Sequence, residues 1–187
     1  MAIKKSKRMR YKNIGTKQMK GVTNAFDNFF IKEQFDTVIE LGTGNGGFTL
    51  YIAEKCNEMK ADFYTFDIRR IVNSNTLKNI KQLGGIFFKE DTNETDRVKN
   101  FIKEGGRTLV LNDGDKFTSF KIYGPRLKLG DYMFIHDYYK PCSIFDGIAT
   151  WNDFENGIKK FDLMISDYTK IFEKYLWMCI KKERINR

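Results

Sequence analysis

Five short apolar runs recur along the chain: DTVIEL at 36–41, DFYTF at 62–66, GIFF at 85–88, TLVLN at 108–112 and DYMFIH at 131–136. Their starts fall roughly 25 residues apart, the spacing of successive βα units. The runs are nearly all apolar instead of alternating, as in strands buried on both faces. Between them the apolar positions take helical spacing. Leu50, Ile52, Ala53 and Cys56 share a face of 48–58, and Ile71, Leu77, Ile80 and Leu83 share one of 70–83. Residues 17–35, before the first run, read as a helix. After the fifth run, a predicted helix over 146–161 is followed by LMISDYTKIF and KYLWMCIKK, two β-rich runs with a short connection. So close together, they must pair antiparallel, because a parallel crossover needs a dozen residues or more. The pattern predicts a doubly wound α/β domain with a mostly parallel seven-stranded sheet, helices on both faces and a C-terminal antiparallel hairpin.

At 187 residues the chain suits one domain with a full core. No apolar run approaches the roughly 20 residues of a membrane span, so no membrane partner is expected. Net charge is +9, and six of the first twelve residues are Lys or Arg. Residues 1–12 read as a flexible basic tail, with 13–187 as the folded domain. Such a tail either solubilises the protein or draws an anionic partner such as nucleic acid. Neither a zinc-finger spacing nor an RRM aromatic motif accompanies it. No apolar stretch follows the basic residues, and Cys56, Cys142 and Cys179 form no CxxC pair, so a reducing, cytoplasmic setting is expected. The single histidine, His136, excludes a His-rich metal site. Nothing in the pattern sets an oligomeric state.

The chemistry concentrates in VIELGTGNGGFT, residues 38–49, where four glycines fall within six positions. The loop fits G-x-G-x-x-G through Gly42, Gly44 and Gly47, and E-x-G-x-G-x-G through Glu40, Gly42, Gly44 and Gly46. Glycines there let the backbone turn sharply and a ligand come close. Glu40, at the strand end, can salt-bridge an ammonium but would repel a pyrophosphate, and no second domain follows. Both points argue against a dinucleotide. Asp67, about 20 residues beyond the loop, can accept both hydroxyls of a ribose or cap the next helix. Asp91, in KEDTNET, can meet an adenine amino group, but DTNE is equally a capping box.

With Asp67, this run resembles motif I and the ribose acid of the class I S-adenosylmethionine (SAM) dependent methyltransferases. The resemblance covers nearly the whole chain from about residue 20 and implies a Rossmann-like fold. It implies SAM as methyl donor, held by Glu40, Gly42, Thr43, Gly44, Gly46, Asp67, Ile68, Asp91 and Asp113. LVLNDGDKF, at 109–117, is similar to the VDADK segment of the cation-dependent O-methyltransferases that act on catechols and caffeoyl-CoA. GPRLKLGDYMFIHDYY, at 124–139, is similar to a stretch of the cephalosporin hydroxylase-like and rhamnosyl O-methyltransferase-like families. Those families carry GGS after the motif I glycines, where this chain has GGF. In the catechol group, an acid after strand four and an Asp-Asn pair after strand five hold magnesium. Carried over, the metal residues are Asp113 and Asp137, with Tyr138 where the Asn would stand. The resemblance then makes Lys116 the catalytic base, and His136 is the alternative base if no metal takes part.

The expected activity is O-methylation of a small-molecule acceptor, with Mg2+ as a candidate aid. Two other functions stay open: methylation of RNA, DNA or protein through the basic N-terminus, and SAM binding without turnover. The NDGDK loop lacks the prolines with which amino-methylating DNA enzymes grip an exocyclic amine. Cys142 in YYKPCS has no second Pro-Cys motif beside it and reads as a spectator thiol. Tyr138, Tyr139 and Trp151 follow a strand's C-terminal edge, where ligands bind in open α/β sheets, and are candidates for an acceptor pocket.

Overall fold

The computed structural model of the protein describes residues 8–138 and 151–183. The chain opens with β1 (Arg8–Tyr11) and β2 (Ile14–Met19), then α1 (Val22–Lys32) and β3 (Thr37–Leu41). Four βα repeats follow: α2 (Gly47–Met59) and β4 (Asp62–Phe66), α3 (Ser74–Gln82) and β5 (Ile86–Phe88), α4 (Arg97–Glu104) and β6 (Thr108–Asn112), α5 (Lys116–Tyr123) and β7 (Tyr132–His136). The chain closes with α6 (Trp151–Lys160), β8 (Leu163–Ile165), α7 (Tyr168–Phe172) and β9 (Trp177–Lys182).

β3 to β9 form one sheet in the order β5-β4-β3-β6-β7-β9-β8. β3 to β7 pair in parallel, and β9 runs antiparallel to both β7 and β8. The order reverses between β3 and β6, where the crossovers leave toward opposite sides and a cleft opens at the strand ends. The central strands are buried throughout, and alternate residues feed two separate cores. Leu109, Leu111, Phe134, Trp177 and Cys179 join Phe26, Phe29, Phe48 and Phe172 on the side of α1, α2 and α7. Val110, Met133, Ile135, Met178 and Ile180 join Val98, Phe120, Tyr123 and Phe154 on the side of α4, α5 and α6. The two-sided burial explains why the runs read as continuous apolar segments.

The expected α/β sheet and its antiparallel end are therefore present, but four local expectations are corrected. Residues 8–12 do not form a flexible tail. β1 pairs with β2 through a two-residue turn, Lys12–Asn13, where both φ angles are positive, as a tight hairpin requires. Met9 is buried, and Tyr11 Oη donates to Glu54 Oε2 at 2.6 Å, so the hairpin is packed on α2 despite its charge. Residues 17–35 are not one helix either, because β2 takes their first part and α1 starts only at Val22. In LMISDYTKIF, only the first three residues are strand. DYTKIF turns into α7, whose Thr169 Oγ1 donates to Cys179 O at 2.8 Å, so the two terminal strands are joined by a helix. Ile71 precedes α3 and is 49% exposed instead of sharing its buried face. Of the predicted helix over 146–161, Trp151–Lys160 is observed as α6, and 146–150 lie outside the described residues. Tyr139, Cys142 and the side chain of Trp151 lie outside the described residues. Among the described residues no helix is long and apolar enough to cross a membrane.

Candidate functional site

A cleft of about 470 Å³ lies at the C-terminal ends of β3, β4 and β6, with Gly15–Gln18 of the N-terminal hairpin forming its opposite wall. The glycine loop is its floor, and two of the glycines have distinct reasons. Gly42 has φ of 106°, and a Cβ there would lie 2.9 Å from the carbonyl carbon of Asp113. It lets the loop after β3 cross directly over the loop after β6. Gly47 opens α2, where a Cβ would lie 2.7 Å from Thr16 Cγ2 and 2.8 Å from Ile14 O. That glycine admits the hairpin strand, not a ligand.

Glu40 stands one residue before the end of β3 and is 2% exposed. Thr65 Oγ1 donates to Glu40 Oε2 at 2.7 Å and lies 2.6 Å from Thr43 Oγ1, a buried polar chain beneath the loop. Burial pushes the Glu40 carboxyl up to about 8, hydrogen bonds from Thr65 and Thr49 pull the other way, and the negative charges of Asp113 and Asp67 add to the rise. A neighbouring cation would restore its ionised form.

Asp67 does not cap the following helix. Asn73 does, its side chain accepting from Thr76 N at 2.8 Å. Asp67 instead accepts from Gly44 N at 2.8 Å and from Arg69 N at 2.9 Å, which ties the end of β4 to the glycine loop. Ile68 and Ile71 expose apolar surface at the rim. Asp91 lines the same cleft and accepts from Asn93 N at 2.8 Å in a local turn. α4 begins later, at Arg97, so DTNE is not a capping box.

Beside this cleft the ends of β6 and β7 bring four charged groups together. His136 Nδ1 lies 2.9 Å from Asp113 Oδ1 and 3.2 Å from Asp137 Oδ1. Lys116 Nζ lies 3.0 Å from Asp137 Oδ2 and 3.8 Å from Asp113 Oδ1. Asp115, not Asp113, caps α5, accepting from Thr118 N at 3.2 Å, and Lys116 is buried, not a solvated surface lysine. Burial opposes protonation of His136, but the two carboxylates outweigh it and raise its pKa to about 9. Burial also works against ionised Asp137, yet His136 and Lys116 hold its carboxyl far below the usual range. With no cation at the site the imidazole therefore favours its protonated form, which works against His136 as a metal-free base.

Asp113, His136 and Asp137 each offer one ligand atom within 4.8 Å of the others, close enough to share one cation. Tyr138 does not join them. It is buried in the core beside α5 and α6, and its N–H donates to Leu176 O at 2.9 Å. One functional residue escaped the sequence reading: Gln18, on β2, contacts both Asp113 and Trp177. Its signal was the alternation of buried Thr16 and Gln18 with exposed Lys17, which marks a strand.

No curated relative matches the sequence. Among solved structures, CmcI without ligand superposes with a TM-score of 0.71 at 13% identity, over 95% of this chain and 77% of that one. CmcI with magnesium and SAM gives 0.69 at 14% identity, over 94% and 77%. A Clostridium thermocellum protein described as an rRNA-methylase gives 0.58 at 17% identity, over 87% and 96%. These likenesses establish the class I methyltransferase fold. The sequence profile of the family described as FtsJ-like methyltransferase matches residues 18–173, which spans the glycine loop, the acid after β4 and the charged cluster, so the chain belongs to that family of SAM-dependent methyltransferases.

Proposed function

We propose that the protein is a cytoplasmic, metal-assisted O-methyltransferase acting on a small acceptor that bears a hydroxyl group. The observation that carries this reading is the meeting of Asp113, His136, Asp137 and Lys116 at the edge of the cleft. The two carboxylates already draw Lys116 to them and can draw a cation in the same way, and a buried histidine with no directed hydrogen bond adds a donor atom. These residues fit a divalent cation. Such an ion supplies charge that favours the deprotonated form of an acceptor hydroxyl.

The chain's own groups supply the rest. Glu40 pairs with the ammonium of SAM, and Asp67 accepts from the ribose hydroxyls with the lone pairs its two backbone bonds leave free. Ile68 and Ile71 offer an apolar ledge to the adenine, and Asp91 receives its amino group. Thr43 and Gly46 hold the loop in shape, and Gly42 and Gly44 leave room for the methionine part. Lys116 would pass its own proton to solvent as a cation takes its place beside the carboxylates, and would then take the proton of the acceptor hydroxyl. Methyl transfer from a sulfonium is an in-line displacement, so alignment of acceptor and donor accounts for much of the rate.

The test is transfer of a labelled methyl group to catechol, sugar and nucleic-acid acceptors, with EDTA or added divalent ions, in wild type, Asp137→Asn and Lys116→Ala. Asparagine keeps the left-handed backbone that Asp137 adopts, φ of 59°. Loss of activity with EDTA and in both variants is expected. Activity indifferent to EDTA and to Asp137→Asn overturns the metal assistance, and SAM binding with no transfer to any acceptor leaves a binding protein.

A second reading, methylation of RNA, draws on the placement of basic side chains. Lys17 lines the cleft, and Arg8 and Arg10 are exposed on the same hairpin. The likeness to the rRNA-methylase adds to it. Binding to RNA that weakens steeply with salt, together with transfer to RNA alone, would favour it over the small acceptor.

A further inference from the structure

Two carboxylates and water would describe a magnesium site, because hard oxygen ligands suit that ion. The third group in this chain is an imidazole. His136 is 4% exposed, and neither ring nitrogen has a directed hydrogen bond among the described residues. Nδ1 faces Asp113 Oδ1 at 2.9 Å and Asp137 Oδ1 at 3.2 Å, but off the line that a ring N–H needs. The remaining carboxylate oxygens are turned to other partners. Asp113 Oδ2 accepts from Gln18 Nε2 at 2.8 Å, and Asp137 Oδ2 faces Lys116. Two oxygens and one nitrogen thus lie within 4.8 Å of one another.

The nitrogen is also held in place. The His136 ring packs on Trp177 with centroids 4.6 Å apart. Trp177 Nε1 donates to Gln18 Oε1 at 2.9 Å, and the same amide orients Asp113. One buried glutamine therefore ties the oxygen ligand to the wall behind the nitrogen. Outer partners of this kind fix ligand orientation at metal centres.

On the reading that a divalent cation binds beside the cleft, we propose that His136 ligates it through Nδ1. The O,O,N donor set then selects a later first-row transition ion over magnesium, since imidazole suits iron, nickel, copper and zinc whereas magnesium takes oxygen ligands.

The chain holds one histidine, so labelling with 15N-histidine reports on His136 alone in protein prepared without a histidine tag. Metal-stripped full-length protein is titrated with Zn2+ and followed by 15N NMR. The expected result is a shift of Nδ1 to the range of metal-bound imidazole at one equivalent. Calorimetry then compares Zn2+ with Mg2+ in wild type and in His136→Glu, which makes the site all oxygen. The preference for Zn2+ should be at least tenfold larger in wild type. If Zn2+ binds while Nδ1 keeps its free position, His136 is not a ligand and the proposal falls, while the metal-assisted reading stands on its carboxylates. An equal preference in His136→Glu has the same meaning. If none of these ions binds at millimolar concentration, the proposal and the metal-assisted reading fall together. The NMR measurement needs no variant, so it decides the matter even if His136→Glu does not fold.

Discussion

Gln18 Nε2 donates to Asp113 Oδ2 at 2.8 Å, which joins the N-terminal hairpin to the charged cluster from 95 residues away. The glutamine is 1% exposed and also accepts from the indole of Trp177. Gln18→Leu keeps the bulk but leaves a buried N–H and a carboxylate oxygen without partners. Each such group costs about 1–3 kcal/mol. The variant should lose stability by that order in urea. Its kcat should fall on the order of ten- to a hundredfold, with a smaller change in KM for SAM, as for groups that orient metal ligands. Wild-type kcat in a folded Gln18→Leu protein would show that Asp113 is oriented without it.

The same hairpin decides what truncation does. Residues 1–7 lie outside the described residues, and their three lysines and lack of apolar periodicity make them dispensable on sequence grounds. Removing 1–19 takes away Met9, the Tyr11–Glu54 bond, Thr16 against Gly47, and Gln18. Thermal melts should differ little from wild type for the short deletion and fall by many degrees for the long one. Equal melts for both would make the hairpin an appendage.

The central sheet was legible because its strands are buried on both faces, and a run such as TLVLN can satisfy no other environment. The cofactor cleft was legible because glycines and acids at strand ends have few purely structural uses. The hairpin was not. RMRYKNIGTKQM carries four Lys or Arg residues, and charge density masks a strand that buries only alternate side chains. Its partner surface on α2 exists only in three dimensions, and so does the contact of Thr16 with Gly47. DYTKIF misled for the opposite reason. Its β-branched and aromatic residues favour a strand, but packing of Phe172 against Phe26 and Phe134 settles a helix there.

Glu40 sets stability against function. Its carboxyl titrates near 8 in the folded protein, against about 4.3 in an unfolded chain. The folded state thus holds a proton that the unfolded state has released. Stability from that proton is complete at low pH and is lost as pH rises through 8. Glu40→Gln cannot ionise, so it should match wild type near pH 4 and melt several degrees higher at pH 9. SAM binding should show the reverse. At pH 7 wild type must release a proton to pair with the ammonium, which calorimetry in buffers of different ionisation enthalpy detects. Glu40→Gln should bind at least tenfold more weakly and release none. A variant less stable than wild type at pH 9 would contradict the buried, proton-holding carboxyl.

Asp67→Ala separates the ribose role from loop support. It removes the acceptor for Gly44 N and Arg69 N at the surface end of β4, where water can replace it. Stability should fall by about 1 kcal/mol. Affinity for SAM should fall roughly ten- to a hundredfold, because a charged hydrogen bond contributes about 1.5–3 kcal/mol. Unchanged affinity by calorimetry would remove Asp67 from the cofactor site.

Two glycines two residues apart should respond in opposite ways. At Gly42, φ is 106° and an added Cβ meets the Asp113 carbonyl carbon at 2.9 Å and the Gly114 nitrogen at 3.0 Å. Both neighbours are backbone, and Asp113 N is itself bonded to Leu41 O at 2.8 Å, so neither can yield without displacing the β6 loop. Gly42→Ala should therefore lower the melting temperature and weaken cation and SAM binding together. At Gly44, φ is 54°, a left-handed angle that alanine tolerates at roughly 1–2 kcal/mol, and no atom lies within 4 Å of an added Cβ. The space it would enter is the cleft. Gly44→Ala should stay folded with a modest loss of stability, keep its cation affinity, and lose SAM affinity by tenfold or more. Melts and calorimetry on the two variants give the comparison. If Gly44→Ala binds SAM as wild type does, the ligand does not pass over that glycine, and the placement of the methionine part must be redrawn.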